Sequence, residues 1–144
     1  MSVNQISVFL ENRPGTLYEM TRSLADKDID LRALSVAETK DFGIVRMITD
    51  DNDKAEKILK NEGCVCSLTP VLAVAVDDVK GGLASILDEF QKAEVNVEYM
   101  YSALASKSTG QAYMIIRVTD TESAENIMEK MNVRLVTQEE LASM

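Results

Sequence analysis

Histidine is absent from this chain. That removes the commonest general base and the commonest zinc ligand together. Cysteine is scarce: Cys64 and Cys66 are the two present, two positions apart in an apolar stretch. On a strand they would share a face, but a metal site needs two further ligands that no spacing supplies. They read as buried structural thiols in a reducing compartment. No apolar run approaches the ~20 residues of a membrane-spanning helix, so no membrane association is expected. The N-terminal MSVNQISVFLEN lacks the basic stretch and long apolar region of a secretory signal, which predicts a cytoplasmic protein. No run of Lys or Arg exceeds two, and the net charge is -9, so nucleic acid is not an expected partner. There is no nucleophile elbow, phosphate loop or supported pair of carboxylates, so neither an enzyme nor a cofactor is expected.

What the chain does contain is a repeat. At 46% hydrophobic and 27% charged residues the composition is that of an ordinary globular protein. Residues 6–31 and 72–97 align at an offset of 66: Val8 with Val74, Gly15 with Gly81, Leu17 with Leu83, Leu24 with Phe90, Ile29 with Val95, Leu31 with Val97. TDDNDKAEKIL (49–59) then meets VTDTESAENIM (118–128) at an offset of 69, so the second copy holds extra residues, expected around Ser106 to Gly110.

Each copy predicts strand, helix, strand, strand, helix, strand. In the first, Ile6, Val8 and Leu10 alternate along a strand, and a turn at Arg13-Pro14-Gly15 follows. Leu17, Met20, Thr21, Leu24 and Ala25 form one helix face, ended by Asp26-Lys27-Asp28. Strands at Leu31–Glu38 and Ile44–Thr49 flank a hairpin turn at 40–43. Asp51 or Asn52 caps a second helix with Ala55, Ile58 and Leu59 on one face. Gly63 stops it before a strand at Cys64–Leu68. In the second copy, Val71–Val76, Val95–Ala105, Gln111–Val118 and Val133–Val136 are the expected strands. Leu83, Ile86, Leu87 and Phe90, then Ala124, Ile127, Met128 and Met131, mark the helices, and residues 137–142 a short polar helix or tail. The fold class is α+β: two ferredoxin-like βαββαβ units, antiparallel sheets with the helices on one face. VLAVAV, 71–76, has no polar alternation, so something must cover its helix-free face too. Units this small are marginal alone and should pack on each other and on a second chain.

The most informative short segment is Glu11-Asn12-Arg13-Pro14-Gly15-Thr16-Leu17, between the first strand and first helix. Pro14 fixes its own φ and Gly15 gives the backbone room. The amides near Gly15, Thr16 and Leu17 precede any intrahelical acceptor, so they and the helix dipole attract a carboxylate. Asn12 adds a donor and an acceptor. The same residues also serve as plain punctuation between strand and helix, with Asn12 stabilising the turn.

The βαββαβ order, with Asn12 ahead of Arg13-Pro14-Gly15 and Leu17 at the helix start, resembles the ACT domain, the small-molecule-binding regulatory module of amino-acid metabolism. The resemblance spans the whole chain as two tandem units, residues 1–70 and 71–144, with no catalytic domain. It implies a free amino acid as ligand, a homodimer, and a separate regulated enzyme as a further partner. It implies a site between paired units: one side is Leu10, Glu11, Asn12, Pro14, Gly15, Thr16 and Leu17. The other is the start of strand two, Asp30 and Leu31 in the first repeat or Asn96 and Val97 in the second. A zwitterion would place its carboxylate on the helix N-terminus and its ammonium on Asp30, Asn12 or Asn96. Leu10, Leu31 and Val97 would form a wall for an apolar or aromatic side chain.

The second repeat departs from the pattern. Its turn, Asp77-Asp78-Val79-Lys80-Gly81-Gly82, keeps the glycines and loses Asn and Pro. Two aspartates satisfy the dipole themselves and repel a carboxylate, which argues for one principal site with Asn96 on its opposite wall. The competing reading is a structural or assembly adaptor whose turn binds nothing. Asp50 to Asp53 lacks the glycine and terminal glutamate of a calcium loop and reads as a solvated helix start. Tyr99, Tyr101 and Tyr113 on a sheet suggest base-stacking platforms only weakly, against the acidic charge. Met100 beside two of them would shape an adaptable interface.

Overall fold

The structure, a computed structural model, describes residues 2–38, 40–104 and 110–144. The first repeat contributes β1 (Val3–Glu11), α1 (Thr16–Asp26), β2 (Leu31–Glu38), β3 (Phe42–Thr49) and α2 (Asn52–Asn61). β4 (Val65–Asp77) leads into the second, with α3 (Gly82–Lys92), β5 (Val97–Ser102), β6 (Gln111–Val118), α4 (Thr121–Lys130) and α5 (Gln138–Ala142). The extra residues expected around 106–110, and Ala105 at the end of its strand, lie outside the described residues except for Gly110.

The fold is two ferredoxin-like units, as the periodicity predicts, but their sheets are not separate. The strands expected at 64–68 and 71–76 are one continuous β4, and the six strands form a single antiparallel sheet in the order β2-β3-β1-β4-β6-β5. Val65 to Val71 pair with β1, and Leu72 to Asp77 pair with β6. Pro70 sits inside this strand, and its carbonyl accepts a hydrogen bond from Arg117 Nη1 at 2.6 Å. The strand expected at Val133–Val136 is reduced to a bridge between Leu135 and Val74, held by Ala75 N–H to Arg134 O and Val136 N–H to Ala73 O. α5 begins at once after it, so the chain turns away before a ladder can grow.

All four long helices cover one face of the sheet. Met20, Leu24, Ala55, Ile58 and Leu59 pack on Ile6, Val8, Val45 and Met47 in the first unit; Ile86, Phe90, Ala124 and Met128 pack on Leu72, Val74 and Ile116 in the second. Helix ends repeat as well. Asp28 and Glu94 take the same left-handed conformation, with the next residue's N–H returning to Leu24 O and Phe90 O. Asp51 and Asp120 cap α2 and α4 by accepting from Lys54 and Ser123 N–H.

The helix-free face curls on itself. Edge strands β2 and β5 meet at an Ala33–Ala103 bridge, with Leu104 N–H donating to Arg32 O at 2.8 Å. Inside lie Val3, Ala33, Ile48, Val71, Ala73, Ala75, Ile115, Val136 and Leu141, which is why every residue of VLAVAV is buried. The cover for its second face is thus the other repeat and α5. α5 starts in a capping box, Thr137 Oγ1 accepting from Glu140 N–H while Glu140 Oε2 accepts from Thr137 N–H.

The interior also has a polar half. Gln5, fully buried, donates from Nε2 to Tyr99 Oη (2.8 Å) and to Ser7 Oγ (3.1 Å), and its Oε1 accepts from Tyr101 Oη at 2.6 Å. The Arg46 guanidinium stacks 3.7 Å over the Tyr99 ring. Tyr99 and Tyr101 therefore join the repeats rather than presenting exposed platforms, and burial pushes the Tyr101 phenol above its ordinary value. Met100 packs in the second unit's core.

Candidate functional site

The Glu11 to Leu17 turn is built by the backbone. Asn12 N–H donates to Asp41 O, Arg13 N–H to Glu11 O, Thr16 N–H to Arg13 O, and Glu19 N–H to Gly15 O. Gly15 sits at φ 92°, a left-handed conformation that favours glycine, and no side chain caps α1. The amides of Gly15, Leu17 and Tyr18 therefore precede any intrahelical acceptor. Thr16 uses its hydroxyl to clamp the turn, donating to Glu11 O (3.0 Å) or Arg13 O (3.1 Å). Asn12, Pro14, Gly15 and Leu17 are exposed.

Beneath the turn lies an open pocket of about 290 Å³. Of the residues expected from sequence, Leu10, Glu11 and Thr16 line it, joined by Phe9, Arg13, Glu19 and Met20, and by Glu62 to Val65 leading into β4. Arg13 is its cation, 3.1 Å from Glu11 and 3.7 Å from Glu19. Glu62 adds a third carboxylate, itself paired with Lys27 at 3.7 Å. Burial, then the charge of Glu62, pushes the Cys64 thiol up, which disfavours its thiolate. The pocket thus carries both signs, one guanidinium and three carboxylates, while Asn12, Pro14, Gly15 and Leu17 do not line it.

Asp30, Leu31, Asn96 and Val97 do not reach this pocket within one chain. Leu31 pairs with Thr49 while Leu10 pairs with Gly43, which puts the start of β2 about 20 Å away along the strands. Val97 pairs with Val118, near Pro70 in the middle of the sheet and three strands from β1. Asp30 O accepts from Asp50 N–H, and Asn96 O accepts in the same way from Thr119 N–H. Leu10 and Leu31 pack into the first helix core and Val97 into the second, so the three form no common wall in one chain. The acidic run at 50–53 serves this junction and the start of α2, Asp50 Oδ1 also accepting from Asp30 N–H.

The second turn copies the first. Asp78 N–H donates to Gly110 O, Val79 N–H to Asp77 O, Gly82 N–H to Val79 O and Ser85 N–H to Gly81 O, with Gly81 at φ 82°. A Cβ at Gly82 would lie 2.4 Å from Asp77 O, so the threonine clamp of the first turn has no room here. Below it is a larger pocket of about 420 Å³, and its charges differ from the sequence expectation. Asp77 lines it with Lys80 and Arg134, and Asp78 does not. Asp77 Oδ1 accepts from Gln111 Nε2, and Arg134 is bound to Glu140 and to Tyr113 Oη. Repulsion of a carboxylate by two aspartates is therefore a weaker argument than the sequence suggests.

Comparison with known proteins agrees with this architecture. The family model for the ACT domain pair matches residues 1–144. The crystal structure of a Bacteroides thetaiotaomicron protein superposes with a TM-score of 0.92 at 35% identity, covering 100% of this chain and 98% of that one. The regulatory subunit of aspartate kinase from Thermus thermophilus, in its ligand-free form, shares the fold with a TM-score of 0.62 at 16% identity, covering 90% of this chain and 89% of its own. No curated protein matches the chain. By its internal duplication, its two βαββαβ units and the full-length family match, this chain belongs to the ACT domain pair family.

Proposed function

We propose that the protein is a regulatory sensor that binds a free amino acid at the Glu11 to Leu17 turn and reports it by a change in packing or in contact with a separate enzyme. One observation carries this reading: the pocket under the turn holds complementary groups for both ends of a zwitterion. The ligand carboxylate meets Arg13 below the positive end of the α1 dipole, and its ammonium meets Glu11, Glu19 or Glu62. Asn12, exposed in the same turn, would complete the polar shell. A homodimer would supply the missing wall, with Asp30 and Leu31 or Asn96 and Val97 of a second chain, because one chain leaves them remote. A ligand held between units stabilises one packing by its differential affinity for it, which is all that a sensor requires. That aspartate kinase relatives are described as regulatory subunits supports the reading by kinship of fold. The protein would then act as a regulator and not as a catalyst.

A thermal-shift panel of the twenty amino acids tests this. A ligand at 100 times its dissociation constant adds about 2.7 kcal/mol of stability. A panel in which no amino acid raises the melting temperature removes the sensor reading and favours an adaptor.

A further inference from the structure

A row of four residues crosses the helix-free face in the first repeat. Ser35 pairs with Arg46, Arg46 with Ser7, and Ser7 with Ser67, so their side chains share that face. The ladders put Tyr101, Ile115, Ala73 and Val136 at the corresponding positions of the second repeat. At that end the row is apolar core, sealed by the fully buried Leu141 of α5. At the first repeat's end Ser35, Arg46 and Ser7 are half-buried and Ser67 is exposed, so the row stays open. No same-face residue two positions before or after these four is ionisable, which leaves Arg46 as the charge of the patch. Its guanidinium stacks 3.7 Å over the Tyr99 ring, a contact that uses the flat face and leaves the in-plane N–H donors. Among the described residues no hydrogen bond or ion pair meets those donors, and the rest of the chain contains no Asp or Glu. The Ser35 hydroxyl beside it likewise has no partner among the described residues.

We propose that this row binds a small oxyanion, a carboxylate or phosphate group, held by the Arg46 guanidinium with the Ser35 hydroxyl beside it. A half-buried cation without a counter-charge costs free energy that a bound anion recovers. The parallel N–H pairs of a guanidinium match two oxygens of a carboxylate or phosphate, so the residue type fits the ligand class. The chain's charge of -9 does not oppose this, because charges act over about 8 Å at physiological salt and the patch holds no acid. The site is separate from the pocket under the first turn: Ser7 lies four residues along β1 from Glu11, about 13 Å. It abuts the junction between repeats instead. Arg46 rests on Tyr99, whose hydroxyl accepts from the buried Gln5. An anion on Arg46 fixes the guanidinium against that ring and braces the junction, as a second effector independent of any amino acid.

The test is a nitrogen–proton NMR titration of the whole chain with inorganic phosphate and with acetate, against chloride at matched ionic strength. No amino acid is added, so the outcome is independent of the thermal-shift panel. Saturable shifts should appear at the Arg46 Nε–H and at the Ser35 and Ser7 amides, with a dissociation constant of about 1 mM or below. Chloride should give none, and the tighter of the two oxyanions identifies the source. Arg46→Gln should abolish saturation. Ser35→Ala, which leaves the stack on Tyr99 in place, should weaken binding about tenfold, the value of one hydrogen bond to a charged group. A dispersed spectrum checks the fold of each variant. No response to either oxyanion, shifts confined to the turns at Gly15 or Gly81, or saturation that survives Arg46→Gln overturns the proposal. So does self-association of the native chain that Arg46→Gln abolishes, which would give the guanidinium to a second copy.

Discussion

The two turns that open α1 and α3 follow the same backbone path with almost no sequence in common. Four hydrogen bonds and one left-handed glycine recur in each, Gly15 in the first and Gly81 in the second. Around that frame the side chains diverge. The first turn has a threonine clamp and a guanidinium among three carboxylates; the second has a glycine pressed on Asp77 O, and Lys80 and Arg134 beside one aspartate. The interior shows the same contrast: Gln5 and Arg46 of the first repeat stand where Val71 and Ile115 stand in the second. Duplication preserved what the backbone needs to fold, and left the side chains free to specialise.

The largest effect expected from that contrast concerns α5. Leu141→Ala, in the covered end, should cost about 2–5 kcal/mol in urea unfolding, because a fully buried side chain leaves a cavity. Val65→Thr at the exposed end should change stability by no more than ~0.5 kcal/mol. Equal losses would mean that the two ends are not covered differently. Next comes the polar half of the interior. Gln5→Leu alone should cost about 1–3 kcal/mol, since it strands the Tyr99 and Tyr101 hydroxyls. Adding Tyr99→Phe and Tyr101→Phe should recover most of that loss. A triple variant no better than the single one would show that packing, not hydrogen bonding, joins the repeats there.

Exchanging the turns gives effects no larger than that. Gly82→Thr should cost about 1–3 kcal/mol through its clash with Asp77 O. Thr16→Gly should cost about 1 kcal/mol, the value of one lost side-chain hydrogen bond. The smallest effect is with pH. The backbone N–H of Thr137 holds the Glu140 carboxyl below its ordinary value of 4.5, with Arg134 adding to it. A depressed carboxylate contributes stability above its unfolded value and loses it as pH falls below. Docking of α5 should therefore loosen modestly under acid, below the ordinary glutamate range, as seen in the NMR signals of Leu141. The effect should be small, because the ion pair is solvent-screened. Loosening at neutral pH would contradict the assignment.

Most of the fold was legible because apolar periodicity is set by burial, which local sequence records. Ile6, Val8 and Leu10 or Ile58 and Leu59 announce their faces. The fusion of two expected strands into β4 was not, because Pro70 lacks the N–H that a strand interior normally uses, and its pairing opposite Asn4 is a tertiary fact. The last strand failed for the opposite reason: four apolar-rich residues read as a strand, but a helix cap at Thr137 follows directly. At the site, the turn was legible from Pro14 and Gly15, while Glu62 to Val65 were missed. They are far along the chain, yet a βαββαβ order always sets strand four beside strand one, so topology would have named them. The remoteness of Asp30 and Asn96 came from register, which no residue type encodes.

The central claim is that the two like-shaped turns are unlike in binding. Its most direct test is a nitrogen–proton NMR titration with the amino acid that gives the largest thermal shift, following Gly15 to Leu17 and Gly81 to Leu83 together, in the native chain and in Asn12→Ala and Asp78→Ala. The account predicts saturable shifts at Gly15 to Leu17, weakened by Asn12→Ala and nearly unaffected by Asp78→Ala. Shifts confined to Gly81 to Leu83, or equal losses from both substitutions, would contradict it.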